Sequence, residues 1–406
     1  MKILFLTIGR FDDIESKGIY PDLLRYFRNQ GHDIYVITHH QRRENLPTEL
    51  NEKKGAHILS VRIGNITKCG IIEKGISTLT IESKYKRAIK KYFNNVKFDL
   101  VMYSTPPITL NGAVEYVKKR DDARTYLLLK DIFPQNAVDL GMINKKGIGA
   151  PLYSMFRKKE KKLYRISDYI GCMSQANVDY VLQHNPEVAS NKVEVCPNCI
   201  EPLDMSVTAS ERENIRRKYN IPLDKTVFVY GGNLGRPQGI SFLIECLKSQ
   251  KDNKIAYFLI VGDGTEYEKI SSYVNASKQE NVKLMKRLPK EDYEKMVAAC
   301  DVGMIFLDYR FTIPNFPSRL LSYMQAEIPI LACTDSNTDI GRVIVDGEFG
   351  WWCESSEIKT FHETIKKVCE SDLKTMGKKG YQYLVKNYNS KIGYEIIMKA
   401  YGNKDE

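Results

Sequence analysis

The stretch FTIPNFPSRLLSYMQAEIPILAC, residues 311–333, predicts a loop, a helix and a strand in succession. Asn315 can cap a helix and Pro317 suits a first turn, so the pattern predicts a helix over 317–326. The run at 330–333, ILAC, is short, apolar and uninterrupted, which is typical of a strand buried on both faces of a parallel sheet. The stretch therefore favours an α/β domain with a parallel sheet.

The start of this helix is a candidate anion site. Free N–H groups, the positive end of the helix dipole, the Ser318 hydroxyl and the Arg319 side chain could together hold a phosphate. A packing helix that binds nothing is the alternative, and this stretch alone does not exclude it.

Outward from this stretch, short apolar strands alternate with amphipathic helices in both halves of the chain, starting with the βαβ pattern of residues 2–38. A chain of 406 residues is too long for one ordinary core. The proline-containing stretch 197–213 interrupts the alternation and is the predicted linker. The fold class is α/β, with two doubly wound Rossmann-like domains at 1–200 and 201–385 and a C-terminal helix at 386–406 that packs back on the first domain.

The composition bounds the location and the partners. The nine cysteines are scattered and odd in number, which indicates a reducing compartment, and no apolar run reaches the length of a membrane-spanning helix. Residues 1–200 carry 32 Lys and Arg against 21 Asp and Glu, whereas the remainder carries 29 against 29. The basic clusters at 84–91 and 157–165 could bind an anionic membrane surface, an acidic acceptor or nucleic acid, although solvated helix faces are an equal alternative. The sequence has no basic motif with interleaved aromatic residues, which disfavours a nucleic-acid partner.

Two glycine-containing loops follow predicted strands of the second domain, where ligands of α/β sheets bind. GGNLGRPQG, residues 231–239, would let a ligand approach the backbone, and its Arg236 could contact a diphosphate. VGDG, residues 261–264, opens a helix but lacks the third glycine of a dinucleotide fingerprint, which disfavours a nicotinamide or flavin cofactor. Tight turns without a ligand are the competing interpretation.

Two loops of the first domain follow predicted strands in the same way. Ser104 and Thr105 come after one strand, and Lys130 and Asp131 come after the next. Lys130 and Asp131 would place a cation and a carboxylate where an acceptor could bind or a proton could move. An ordinary surface pair is the alternative. The single CxxC at 196–199 has no partner motif, so a structural turn is preferred over a zinc or redox site.

Taken together, these motifs resemble glycosyltransferase family 4, in its bacterial capsule and O-antigen branch. The segments at 30–38, 195–198, 232–239, 262–264, 299–302 and 317–324 are similar to successive motifs of that family. The resemblance implies the GT-B architecture, in which two Rossmann-like domains face each other across a cleft. It also implies a retaining, metal-independent transfer of a hexosyl or N-acetylhexosaminyl group from a nucleotide-diphosphate sugar, a UDP-sugar, to a lipid-linked or saccharide acceptor, with no cofactor.

The resemblance also implies roles for individual residues. The predicted donor-binding residues are Gly232, Asn233, Arg236, Gly262, Gly264, Arg287, Leu288, Asn315, Phe316, Ser318, Arg319 and Ser322. Arg10, Ser104 and Thr105 are predicted on the acceptor side, and Lys130 and Asp131 are the catalytic candidates. The family has two glutamates in a Glu-x7-Glu motif, and this chain has Pro314 and Ser322 at those positions.

A cytoplasmic enzyme, peripheral on the inner face of the plasma membrane and active in surface-polysaccharide synthesis, is the leading hypothesis. A sugar-nucleotide 2-epimerase shares the architecture but would convert the donor without an acceptor. A non-catalytic subunit that binds nucleotide sugar is compatible with the missing glutamates and would give no product.

Overall fold

The computed structural model of the protein describes residues 1–402, with the backbone alone for residues 71 and 72. Its residues form two compact units. The first comprises Met1–Glu201 and the C-terminal stretch from Asn389, and the second is Pro202–Tyr388.

The first unit is built on one eight-stranded sheet in the order β3-β4-β2-β1-β5-β6-β7-β8. The strands are β1 Lys2–Leu6, β2 Asp33–Gln41, β3 Glu49–Lys53, β4 Ala56–Ile63, β5 Leu100–Ser104, β6 Arg124–Leu129, β7 Tyr169–Cys172 and β8 Val193–Val195. The helices are α1 Ile19–Asn29, α2 Ile71–Tyr92, α3 Asn111–Asp121, α4 Gln135–Asp139, α5 Ala150–Ile166 and α6 Gln175–His184. All strand pairs are parallel except β3 with β4.

The second unit has a six-stranded, wholly parallel sheet in the order β11-β10-β9-β12-β13-β14. Its strands are β9 Thr226–Asn233, β10 Ala256–Asp263, β11 Val282–Met285, β12 Val302–Phe306, β13 Ile330–Thr334 and β14 Gly350–Glu354. Its helices are α7 Ala209–Lys218, α8 Ile240–Ser249, α9 Tyr267–Ser277, α10 Lys290–Ala298, α11 Arg319–Gln325, α12 Ile340–Asp346, α13 Ile358–Cys369 and α14 Leu373–Asn387. The predicted pair of doubly wound α/β domains is confirmed.

The last helix, α15, spans Ser390–Gly402 and belongs to the first unit. Ile397 of α15 is fully buried there, and the Tyr394 ring lies 4.8 Å from the Phe27 ring of α1. Apolar burial and ring contacts of this kind account for its attachment to α1.

Parts of the sequence prediction were wrong. The predicted linker 197–213 ends inside a helix, because α7 begins at Ala209. Thr208 caps that helix by accepting a hydrogen bond from the Glu211 N–H, while the Glu211 carboxylate accepts one from the Thr208 N–H. Threonine followed three residues later by glutamate is a capping-box signal, and it could have located this helix from the sequence.

Candidate active site

A pocket of about 400 Å³ lies in the second unit at the carboxyl ends of β9, β10 and β11. This end of a parallel sheet is where α/β domains bind their ligands, because strand-to-helix loops converge there. The lining residues are Gly232, Asn233, Val261, Gly262, Asp263, Arg287, Leu288, Lys290 and Tyr293. The pocket therefore brings together five of the predicted donor-binding residues from three separate loops.

The glycines of the two loops are explained in part by contacts within the protein. Gly262 is paired with Gly232 across β10 and β9, and a Cβ on Gly262 would lie 2.0 Å from the Gly232 carbonyl oxygen. A Cβ on Gly264 would lie 2.4 Å from the Leu234 carbonyl oxygen. Both positions require glycine so that the two strand ends can approach closely.

Gly232 separates the pocket from Arg319, which is half-buried. Its φ of 119° favours glycine, and a Cβ there would lie 3.4 Å from the Nη2 atom of Arg319. The Arg319 guanidinium stacks on the Tyr230 ring at 4.4 Å. Within residues 1–402, the buried Nη1 atom of Arg319 has no hydrogen-bond partner. The structure therefore places a charged group with unused hydrogen-bonding capacity directly behind the glycine that lines the pocket.

Tyr323 holds α11, and with it Arg319, beneath the sheet. Its hydroxyl accepts a hydrogen bond from the Gly231 N–H at 3.3 Å and donates to the Met304 carbonyl at 3.1 Å. A Cβ on Gly303 would lie 2.3 Å from the Tyr323 ring, so this glycine of β12 admits the ring. The side chain of Tyr323 thus fixes the position of α11 relative to β9 and β12.

The predicted helix at 317–326 is shorter than expected. α11 begins at Arg319 and has seven residues, and Ser318 is its N-cap without a side-chain capping bond. The prediction that Asn315 caps it was wrong. Its carbonyl instead accepts a hydrogen bond from the Thr338 hydroxyl at 2.5 Å, and this contact holds the segment as a loop. The anion site predicted at the start of this helix is therefore followed by less than two turns of helix.

The remaining predicted residues of this segment lie in different environments. Phe316 is half-buried, with its ring 6.2 Å from that of Tyr388. Ser318 and Ser322 are exposed, and Pro314 is buried. None of the four lines the pocket described above.

Arg236 is not among the residues that line the pocket. Its side chain is 60% exposed, and Nε is 3.8 Å from the Glu266 carboxylate. The loop around it is braced by Gln238, whose amide oxygen accepts hydrogen bonds from Asn233 Nδ2 at 3.0 Å and from the Gly235 N–H at 3.2 Å. Asn233 and Gln238 therefore support each other.

Four lining residues were not predicted from the sequence, and these are Val261, Asp263, Lys290 and Tyr293. Asp263 accepts a hydrogen bond from the Gly264 N–H at 2.9 Å. Tyr293 packs against the bare Cα of Gly231, where a Cβ would lie 1.6 Å from its hydroxyl oxygen. The position of Lys290 at the start of α10, directly after predicted residues 287 and 288, was the available signal.

In the first unit, the structure brings the loops after β5 and β6 together. The Thr105 hydroxyl oxygen accepts hydrogen bonds from the N–H groups of Lys130 at 3.0 Å and Asp131 at 3.2 Å. Ser104 is the last residue of β5 and is buried. Four predicted residues therefore share one edge of this sheet.

Lys130 and Asp131 each have a separate partner. Lys130 Nζ donates to the Cys196 carbonyl at 3.2 Å, and burial lowers the pKa of this lysine. Both oxygens of Asp131 lie within 2.8 Å of Asn136 Nδ2. Burial raises the pKa of Asp131 to about 6, so the carboxyl group titrates close to neutral pH.

Arg10 is not joined to this group. It lies on the loop after β1, is exposed, and pairs with Asp12 at 2.7 Å. Within the described chain it makes no hydrogen bond or ion pair with Thr105, Lys130 or Asp131.

Two family models match the chain. The model described as "Glycosyltransferase Family 4" matches residues 22–202, and the model described as "Glycosyl transferases group 1" matches residues 211–386. One match falls in each unit, and together they account for most of the chain.

Two curated relatives match over most of their length. The chain is 26% identical over 299 residues to the probable glycosyltransferase WbjE of Pseudomonas aeruginosa, covering 73% of this chain and 72% of the relative. It is 22% identical over 355 residues to the putative colanic acid biosynthesis glycosyl transferase WcaI of Escherichia coli K12, covering 84% and 86%.

A solved structure has the same fold. Anabaena Alr3699/HepE, in complex with UDP, superposes with a TM-score of 0.69 over 98% of this chain and 99% of that chain, at 14% sequence identity. At this identity the likeness establishes the fold alone.

Proposed function

We propose a specific reaction for this chain, which belongs to the glycosyltransferases of the GT-B fold and has a family 4 domain followed by a group 1 domain. It transfers a sugar from a UDP-sugar to a lipid-linked or saccharide acceptor in bacterial surface-polysaccharide synthesis, with retention of anomeric configuration. The transferred group is hexosyl or N-acetylhexosaminyl. WcaI, the relative named for colanic acid biosynthesis, supports the pathway class.

The observation that carries the donor half of this proposal is the pocket in the second unit. Its position at the strand ends, with Gly232 and Asn233 on one side and Arg287 and Leu288 on another, suits a nucleotide diphosphate. The nucleoside would lie along Arg287 and Leu288, and the diphosphate against Gly232. HepE, which shares the fold, was solved with UDP, and this supports uridine as the base.

Charge on the leaving diphosphate must be balanced by the residues behind and around the pocket. Arg319 is the strongest of the proposed contributors, because its side chain is half-buried and its buried Nη1 atom has no hydrogen-bond partner among the described residues. A charge in a low-dielectric setting acts more strongly than an exposed one. Arg236 would add a weaker contribution, because its side chain is 60% exposed. Asn315, Phe316, Ser318 and Ser322 remain proposed donor-side residues.

In the proposed transfer, the bond between the anomeric carbon and the diphosphate oxygen breaks, and a bond to the acceptor hydroxyl oxygen forms on the same face. The hydroxyl proton passes to the leaving phosphate oxygen, so atoms and charge balance. The chain contributes by positioning the reactants. Asp131, ionised above about pH 6, would orient the acceptor hydroxyl. The Thr105 hydroxyl holds the backbone at Lys130 and Asp131.

The proposed location is the cytoplasmic side of the membrane, with peripheral attachment. In the described part of the chain, every helix is too short or too polar to cross a bilayer. The basic cluster at 157–165 is largely engaged within the protein, since Arg157, Lys161 and Lys162 form ion pairs with glutamates. This cluster therefore provides less free positive charge than its sequence suggests.

The direct test is to incubate the purified protein with a panel of radiolabelled nucleotide sugars and extracted lipid-linked saccharides, and to follow label into the lipid phase. The expected result is transfer from one UDP-sugar that needs the acceptor. Donor conversion without acceptor would favour the epimerase, and UDP binding without any product would favour the non-catalytic subunit. Absence of both binding and product would contradict the proposal.

A further inference from the structure

An exposed apolar tip projects from the first unit between α4 and the first turn of α5. We define this apolar tip as the side chains of Met142, Ile148 and Leu152. Met142 is 62% exposed, Leu152 is 46% exposed, and Ile148 is as exposed as in an extended peptide. Three large aliphatic side chains within eleven residues are more than the scattered exposure normal for a protein surface.

The segment that carries the tip contains charged residues of one sign. From Gly141 to Lys159 the sequence contains no aspartate or glutamate. Lys145, Lys146 and Lys158 in this stretch are exposed. The surface therefore combines insertable apolar groups with flanking ammonium groups.

The tip is connected to the loop that carries Asp131. Asn136 of α4 holds the Asp131 carboxylate, and the chain reaches Met142 three residues after that helix ends. The Phe156 ring of α5 packs edge-on against Phe133 at 4.9 Å, two residues after Asp131. The apolar tip is thus anchored beside the residues proposed to meet the acceptor.

We propose that the apolar tip inserts into the interfacial layer of an anionic membrane, with Lys145, Lys146 and Lys158 contacting lipid phosphates. Apolar side chains flanked by lysine suit this surface, because burial of the chains and attraction to anionic lipid act together. A second copy of the chain fits less well, since a two-fold contact would bring like-charged lysines face to face. The proposal adds a membrane-docking element to the proposed function and draws from it only the expectation that the acceptor is lipid-linked.

The test is co-sedimentation of the full chain with phosphatidylcholine vesicles, with and without about one third phosphatidylglycerol. The double variant Ile148→Ser/Leu152→Ser is compared with Ile255→Ser, which changes an exposed isoleucine in the second unit, 60% accessible. We expect the wild type and Ile255→Ser to bind the anionic vesicles, and the double variant to bind about tenfold more weakly. Lys145→Gln/Lys146→Gln should remove the preference for phosphatidylglycerol and the sensitivity to salt.

Equal binding by the double variant and the wild type would overturn the proposal, as would the absence of vesicle binding by the wild type. A concentration-dependent dimer that only the double variant abolishes would also overturn it, and would identify a second copy as the occupant. Failure of the proposed function is read separately, with a water-soluble acceptor analogue. If both proposals hold, the wild type and the double variant should both transfer sugar to that analogue. Only the wild type should transfer sugar to a vesicle-bound acceptor.

Discussion

Arg319 packs within the fold of the second unit and is also a proposed contact of the leaving diphosphate. Its guanidinium stacks on Tyr230 and lies next to Gly232, whose φ of 119° favours glycine. The sequence indicated an arginine beside a phosphate. It could not indicate that the arginine lies behind the glycine loop, because that depends on how α11 packs beneath β9.

Replacing Arg319 should weaken UDP binding more than replacing Arg236. A charge-assisted contact is worth roughly 1.5 to 3 kcal/mol, so Arg319→Met should raise the Kd for UDP by about 10- to 150-fold. Arg236→Ala should have a smaller effect, since that side chain is 60% exposed and screened by solvent. Isothermal titration calorimetry measures both. Arg342→Met, at an exposed position of α12, is the control, and a larger effect of Arg236→Ala would reverse the assignment.

Asp131→Asn should make stability less dependent on pH while lowering transfer activity. Burial raises the pKa of Asp131 from 3.8 to about 6, so the folded state binds a proton that the unfolded state has released. The wild type therefore loses stability between about pH 4 and 6, and the loss is complete above pH 6. The variant should melt at a higher temperature than the wild type at pH 8, and the difference should vanish near pH 4. A constant difference across this range would show that Asp131 is not the titrating group.

At the scale of helices and strands, the buried parallel strands were predictable from apolar runs, because burial on both faces removes the need for polar residues. The two strands missed lie at the edges of their sheets. β3 has the sequence ELNEK and pairs antiparallel with β4, and β14 has the sequence GWWCE. An edge strand can carry charged residues facing solvent, so the pattern of β3 resembles that of a loop. β14 has an apolar run of only three residues, WWC.

The loops of the site were also predictable as glycine-rich connections, but the reason for each glycine was not. Gly264→Ala should destabilise the second unit, because the new methyl group would lie 2.4 Å from the Leu234 carbonyl oxygen. Overpacking of this kind costs about 1 to 3 kcal/mol. Gly75→Ala in α2 is the control, since a Cβ there meets no atom within 4 Å and should stabilise that helix slightly. Chemical denaturation measures both, and equal stability of the two variants would contradict this account of the glycine.

At the scale of the whole chain, the C-terminal residues belong to the first unit although they follow the second in sequence. α15 contributes the fully buried Ile397 to that unit. The sequence predicted a proline-containing linker and a last helix that packs back on the first domain, whereas the surface that receives this helix depends on tertiary packing.

A chain truncated after Tyr388 should lose stability mainly in the first unit. Removing α15 would expose the apolar face of α1, including Phe27, whose ring it covers. Hydrogen exchange followed by mass spectrometry should show faster exchange in α1 and little change in α9. Uniform acceleration in both units would contradict this division of the chain.

The most direct test of the central claim is hydrogen exchange of the full chain with and without saturating UDP, because it reports where the nucleotide binds. The account predicts slower exchange at 231–234, 262–266 and 286–293, the segments around the second unit's pocket, and no protection around residue 54, at the β3–β4 turn of the first unit. Protection confined to the first unit, or none at concentrations that support transfer, would contradict it.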